Sequence, residues 1–201
     1  MSSREDILSS IRLRRSGALP RPQLYVAPVT SNDLPKRFAE RAAAEAAEVR
    51  FLDRPKDVPA AIADILRTRN MAASIHLPPD ERMDAWPWPT GLALERTPPG
   101  PDDTALAIAP FAIAETGTLV YPSSAAAPAS WHFRPGLEIA VLAVDNILPR
   151  LEDVLARLKE IGPIASTINL VTGPSRTGDI EQTLELGAHG PKALSILIVK
   201  S

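Results

Sequence analysis

What most constrains this chain is its alternation of short apolar runs with apolar stripes at helical spacing. Val49-Arg50-Phe51-Leu52 reads as a strand, Asp57 as the cap of a helix with Val58, Ala61, Ile62, Ile65 and Leu66 on one face, and Met71 to Leu77 as a second strand. Strand, helix, strand in that order suits a parallel sheet, because parallel neighbours need a crossover, which is almost always right-handed. Further β patterns cover Thr104 to Ala109, the flanks of Glu115 within Phe111 to Tyr121, Glu138 to Val144 and Thr167 to Val171, and Leu194 to Val199 is expected to close the sheet. Hydrophobic residues make up 45% of the chain but aromatics only 4%. The interior is therefore built from Ala, Val, Ile and Leu, a palette suited to helices covering a sheet. The class expected is α/β, and 201 residues suit one domain with a small appendage.

That appendage is read at the amino end, to about residue 50, with the main domain over 51–201. Ser3 with Glu5 and Asp6 starts a helix carrying Ile7, Leu8 and Ile11; Asn32 or Asp33 caps a second, in which Leu34, Phe38, Ala42 and Ala46 recur every fourth residue. Proline, 21 residues in all, marks long connections, among them Trp86-Pro87-Trp88-Pro89, which is a loop because each ring fixes φ and removes an amide donor. His76, ending a strand, reads as a packing residue. Ser123 to Pro135, holding Ser130, Trp131, His132 and Arg134, is a loop long enough to serve as a lid. Leu151 to Ile161 is a helix stopped by Gly162-Pro163. Asp179 with Gln182 fits a capping box, so that Ile180 to Leu186 reads as helix or, by alternation, as strand.

Several classes of function are excluded. The formal net charge is -2 and no basic stripe is present, which leaves nucleic-acid binding without support. There is no cysteine, so disulfides, thiolate catalysis and iron–sulfur clusters held by this chain's own thiolates are out. Met1 to Arg15 has no apolar leader core and no run reaches membrane-spanning length, which leads to the expectation of a soluble cytoplasmic protein without membrane insertion.

The residues able to do chemistry concentrate in two turns, Glu115-Thr116-Gly117-Thr118 and Gly173-Pro174-Ser175-Arg176-Thr177-Gly178-Asp179. Each follows a buried-strand run. Glycine lets a backbone approach a ligand, while hydroxyls, Arg176 and free amides offer donors to an anion, so Thr116, Gly117, Thr118, Gly173, Ser175, Arg176, Thr177, Asp179 and Glu181 are the candidate ligand-binding residues. The second turn is at a strand's carboxyl end, where open α/β sheets gather ligands. Glu115 is a candidate general base or nucleophile if burial raises its basicity, and His189, between glycines, is a candidate titrating group. Both turns can equally be tight turns and nothing more.

Ala114-Glu115-Thr116-Gly117-Thr118-Leu119-Val120, Gly173 through Leu184, and Leu186-Gly187-Ala188-His189-Gly190-Pro191-Lys192 together resemble the lactate-utilisation protein C family (LutC/YkgG), also called the LUD-domain family. The likeness covers about residues 50 to 201. It implies a three-layer α/β/α fold of the NagB/RpiA/CoA-transferase-like type, with the amino-terminal helices as an extension. It further implies a part in oxidising L-lactate to pyruvate beside iron–sulfur partner proteins, with this chain as the cluster-free accessory or small-anion-binding component. The alternative is a stand-alone enzyme acting on a phosphorylated or acyl-CoA molecule, with Glu115 as nucleophile or base. Two departures from the family pattern stand out. An arginine after the Thr-Gly-Thr strand and a histidine entering the next strand are replaced here by Ala125 to Ser130 and Leu137-Glu138-Ile139, leaving Arg134 or His132 to compensate; and Gly178 takes the place of alanine.

Overall fold

The computed structural model describes residues 3–14, 28, 33–163, 165–178, 184–186 and 190–200. The chain separates into two compact units, Met1–Thr30 and Ser31–Ser201. The first holds α1 (Ser3–Arg14), with Glu5 and Asp6 in its first turn and Arg12 and Arg14 in its last, the distribution that complements a helix dipole. Its Ile7, Leu8 and Ile11 are exposed.

The second unit opens with α2 (Leu34–Ala44). Asp33 caps it by accepting from the Lys36 amide at 3.0 Å, and Phe38 and Ala42, one turn apart, are completely buried in the core of this unit. The helix closes through Ala46, which takes a φ of 64°, as the Ala47 amide returns to the Ala42 carbonyl at 3.0 Å. β1 (Glu48–Leu52) and a turn over Pro55–Asp57 lead to α3 (Val58–Thr68), whose Val58, Ile62, Ile65 and Leu66 are buried as their spacing requires. Asp57 does not cap α3. Its carboxylate accepts from Arg54 at 2.9 and 3.0 Å instead, a local partner that outcompetes the helix amides, one of which is missing at Pro59.

The unit continues with β2 (Ser74–His76), β3 (Ala93–Glu95), β4 (Thr104–Ala109), β5 (Phe111–Ile113), β6 (Thr118–Pro122), α4 (Ser130–Phe133), β7 (Leu137–Ala143), β8 (Ile147–Leu148) and α5 (Leu151–Ile161). It ends with β9 (Ile168–Val171), β10 (Arg176–Gly178), β11 (Leu184–Leu186) and β12 (Ala193–Val199). Six strands form a parallel sheet in the order β1-β12-β7-β4-β2-β3. The expected parallel sheet is therefore present, but β1 and β2 are not adjacent, and β12 does not close the sheet; it inserts beside β1. The reason is burial. β4, β7 and β12 are apolar and buried almost throughout, whereas β1 carries Glu48 and Arg50 and β3 is exposed. Strands covered on both faces belong in the centre, and charged ones at an edge.

The runs around Glu115 and at Thr167 to Val171 leave the main sheet and form a second one, ordered β8-β5-β6-β9, in which β5–β6 and β6–β9 are antiparallel. β10 and β11 make a separate antiparallel hairpin, so Leu184–Leu186 is strand; the remainder of the helix-or-strand segment, residues 179–183, lies outside the described residues. One face of the parallel sheet packs on α3 through Ile62, Ile65, Leu106, Ile139 and Leu197. The opposite face packs on α2 and the small sheet through Phe38, Ala107, Leu119, Leu142 and Ile196. Val154 of α5 then covers the outer side of the small sheet at Phe111, Ile113 and Val120. The result is a three-layer α/β/α domain with an inserted small sheet.

The Trp-Pro loop is a loop, and it packs: Trp86 and Trp88 lie against the α3-side core and the Trp88 indole donates to the Met83 carbonyl at 2.9 Å. His76 likewise meets the Thr97 carbonyl at 2.8 Å and is nearly buried. No helix among the described residues is long and apolar enough to cross a membrane.

Candidate functional site

The fold brings the two sequence-marked turns side by side. β6 and β9 pair with Leu119 opposite Val171, which places the Thr118 hydroxyl 2.7 Å from that of Thr172, while Thr116 meets Thr118 at 2.7 Å. A chain of three hydroxyls thus joins the turns. Both glycines are required, and their partner is α2 rather than an open cavity. Gly117 has a φ of 70°, and a Cβ there would lie 2.4 Å from the Ala42 nitrogen. Gly173, also at 70°, would bring a Cβ to 2.2 Å from the Glu45 carbonyl oxygen. The turns close against the carboxyl end of α2 because both lack a side chain.

Glu115 and Thr116 are exposed at the tip of the β5–β6 turn. Its amide donates to the Pro149 carbonyl at 3.1 Å. Ser175 is half-buried, its amide held by the Pro191 carbonyl at 2.9 Å, and Arg176 is exposed at the start of β10. Thr177 is described in its backbone only, opposite Glu185 in the hairpin. Asp179, Glu181 and His189 lie outside the described residues. Arg134 is exposed, and His132 is buried.

A second constellation was not anticipated. A cleft of about 820 Å³ opens where the carboxyl ends of β4, β7 and β12 meet α4, α5 and the start of α3, with Ala109, Ala143 and Val199 among its walls. This is the edge at which doubly wound sheets take ligands. The long 123–135 loop folds over it as α4 and contributes Trp131 and His132, which are 4% and 1% exposed. Behind His132 lies Glu138, completely buried at the start of β7. Its Oε1 accepts from the Tyr121 hydroxyl at 2.8 Å and meets His132 Nδ1 at 3.2 Å, with the phenol and imidazole rings stacked at 3.8 Å. Burial, and then the adjacent Glu138, raises the Tyr121 phenol well above its ordinary range, so it remains a donor. With Oε1 already accepting from Tyr121, the contact assigns Nδ1 as the ring nitrogen that donates to Glu138.

Neither Nε2 of His132 nor Nε1 of Trp131 has a hydrogen-bond partner among the described residues, although both atoms are buried. Such atoms cost about 1–3 kcal/mol each when nothing pairs with them. The sequence signals for this cluster were the lid-length loop holding Trp131 and His132 and the carboxyl of Glu138 inside an otherwise apolar central strand; Tyr121 and the cleft had none.

At the mouth, Asp80 is 8% exposed and takes a forked bond from Arg82 at 2.9 and 3.0 Å. The Arg82 guanidinium holds the Asp80 carboxyl below its ordinary value of 3.8, against the opposing pull of burial. The sign follows: a depressed folded-state value stabilises the fold above about pH 4, and that stabilisation is lost as pH falls through the carboxylate range. The urea midpoint should therefore fall between pH 6 and pH 3 by more in the wild type than in Asp80→Asn; equal falls would show that this pair contributes nothing. Among the described residues no group of three or more His, Cys, Asp or Glu side chains gathers in a ligand geometry.

Residues 102–199 match the LUD domain family model. Proteins named lactate utilization protein C are similar to the chain: one from Geobacillus kaustophilus is 33% identical over 98 residues, 47% of this chain and 41% of that protein. Others from Bacillus velezensis and Bacillus subtilis are 31% and 32% identical over 126 residues, 60% of this chain and 52% of each. The matched stretch thus spans about half the length of these relatives. In fold, the chain is similar to a DUF162 family protein from Deinococcus radiodurans, with a TM-score of 0.58 at 19% identity, covering 86% of this chain and 99% of that one. The matched block takes in β4 through β12, and with it both turns and the His132–Glu138 cluster; residues 102–199 are similar to the LUD domain, and the chain is similar to proteins named lactate utilization protein C.

Proposed function

We propose that this protein is a component of an L-lactate utilisation system that oxidises L-lactate to pyruvate, serving as a cluster-free accessory or small-anion-binding subunit beside iron–sulfur proteins. The observation that carries this reading is the LUD match over 102–199 together with relatives named for lactate utilisation. The absence of cysteine supports a division of labour in which the partners hold the clusters, since no thiolate of this chain is available to ligate iron. For the anion we propose the paired turns, where Thr116 and Arg176 are exposed and a guanidinium can bond a carboxylate through two parallel arms. The test is growth: a strain without the gene should fail on L-lactate and grow normally on glucose.

A second reading, a stand-alone enzyme, is favoured by one observation. The buried Tyr121–Glu138–His132 cluster abuts a cleft at the carboxyl edge of the sheet, a more suitable setting for acid–base chemistry than the exposed Glu115.

A further inference from the structure

The groups that a ligand in the cleft can reach are those on its open surface, and they are of two kinds. Much of the wall is apolar and partly in water: Trp86 and Leu158 are half-buried there, and Ile161, at the end of α5, is 65% exposed. The volume, about 820 Å³, falls within the roughly 300–1,000 Å³ of sites that enclose drug-sized molecules, so an apolar body of that size would cover surface which a two- or three-carbon anion leaves wet. The Asp, Glu, Lys and Arg residues on the walls are Asp80, Arg82 and Lys200, two cations to one carboxylate. Asp80 is nearly buried, whereas the Arg82 and Lys200 side chains are 72% and 63% exposed and open to whatever enters. Arg82 uses Nε and Nη2 on Asp80, and its Nη1 has no partner among the described residues. Lys200 donates to Asp53 at 2.6 Å and has two further protons to give. That pair is exposed at both ends, where an ion pair is weak and easily shared with a third group.

We infer that the cleft binds an amphipathic anion: a ring-sized apolar body against Trp86, Leu158 and Ile161, bearing one carboxylate or phosphate that accepts from Arg82, with Lys200 adding its charge to the same opening. The division of labour follows from what each part loses on leaving water. The body gains by covering apolar wall, while a charged group is costly to bury without partners and stays at the mouth beside cations that are themselves solvated. One short segment presents both kinds of contact. Met83 is completely buried and anchors the turn over Glu81–Met83, with Arg82 beside it and Trp86 three residues on. The forked bond to Asp80 holds the guanidinium in place while leaving Nη1 to a ligand. This site is distinct from the paired turns proposed for a small anion, and it stands or falls without them.

The test is a calorimetric titration of the full chain with β-naphthoate, β-naphthyl phosphate and β-naphthylmethanol, which share one apolar body and differ in the charge it carries. At least one of the anions should bind about tenfold more tightly than the alcohol, the scale of one charge-assisted hydrogen bond, and the tighter anion names the group. The preference should shrink as salt is added. It should also fall in Lys200→Gln, and in Arg82→Gln made together with Asp80→Asn so that no carboxylate is stranded. Ile161→Asp, at an exposed position, should weaken all the probes and the anions most. Equal binding of anions and alcohol, no binding of any probe, or a preference unchanged in both charge variants would overturn the inference. So would displacement of the naphthyl anions by excess L-lactate, which would place them at a small-anion site instead. Should the double variant fail to fold, Lys200→Gln and Ile161→Asp, both changed at exposed side chains, decide alone.

Discussion

Gly117→Ala and Gly173→Ala should each cost about 3–5 kcal/mol of stability, a large share of the roughly 5–15 kcal/mol that holds a domain together. Two effects add. An alanine forced into the left-handed region loses about 1–2 kcal/mol at once, and the new methyl must then displace backbone that has nowhere to go. At Gly117 it would sit 2.4 Å from the Ala42 nitrogen and 2.7 Å from the Arg41 carbonyl carbon; at Gly173, 2.2 Å from the Glu45 carbonyl oxygen. The obstacle in each case is the main chain of α2, which is anchored by the buried Phe38 and Ala42. Gly91 separates the two effects, for its φ is 91° but nothing lies within 4 Å of the added carbon. Gly91→Ala should lose only the conformational part, about 1–2 kcal/mol. Urea midpoints for the three variants check this; equal losses would remove the steric argument and with it the claim that the paired turns close on α2.

Glu138→Leu should be comparably damaging, at about 3–5 kcal/mol, for a different reason. The substitution fills the space but strands the Tyr121 hydroxyl and His132 Nδ1, both of which rely on Oε1 at 2.8 and 3.2 Å in a completely buried position. Glu138→Gln keeps an acceptor oxygen and should cost about 1–2 kcal/mol. The pair Glu138→Leu with Tyr121→Phe should recover part of the loss, since removing both partners leaves one fewer unsatisfied group. If Glu138→Leu alone unfolds at the wild-type midpoint, the cluster is not the polar knot described, and the tautomer assigned to His132 loses its foundation.

How far the residues themselves announced this architecture depends on how local each cause is. The Asp33 cap, the α3 stripe and the apolar strands at Thr104, Leu137 and Leu194 were legible because capping and periodicity act within a few residues. Strand order was not: β12 takes its place beside β1 and β7 through pairing across most of the chain, and only comparative burial, with Glu48 and Arg50 consigning β1 to an edge, explains it. Asp57 had the right position for a cap and was taken by Arg54. The two glycine turns were marked by composition, yet what they approach, the end of α2, is visible only in three dimensions. The cleft draws its walls from Pro55 to Lys200, and no window of sequence contains it. Glu138 was the one residue whose oddity could have been weighed, a carboxyl within Leu137-Glu138-Ile139-Ala140-Val141-Leu142.

The proposed participation in L-lactate oxidation is tested most directly by growth. A deletion strain with no second copy of the gene, and the same strain carrying the gene in trans, are compared on L-lactate and on glucose as sole carbon sources. Growth should be lost on L-lactate only and be restored by the gene. Growth of the deletion strain on L-lactate at the wild-type rate would contradict it.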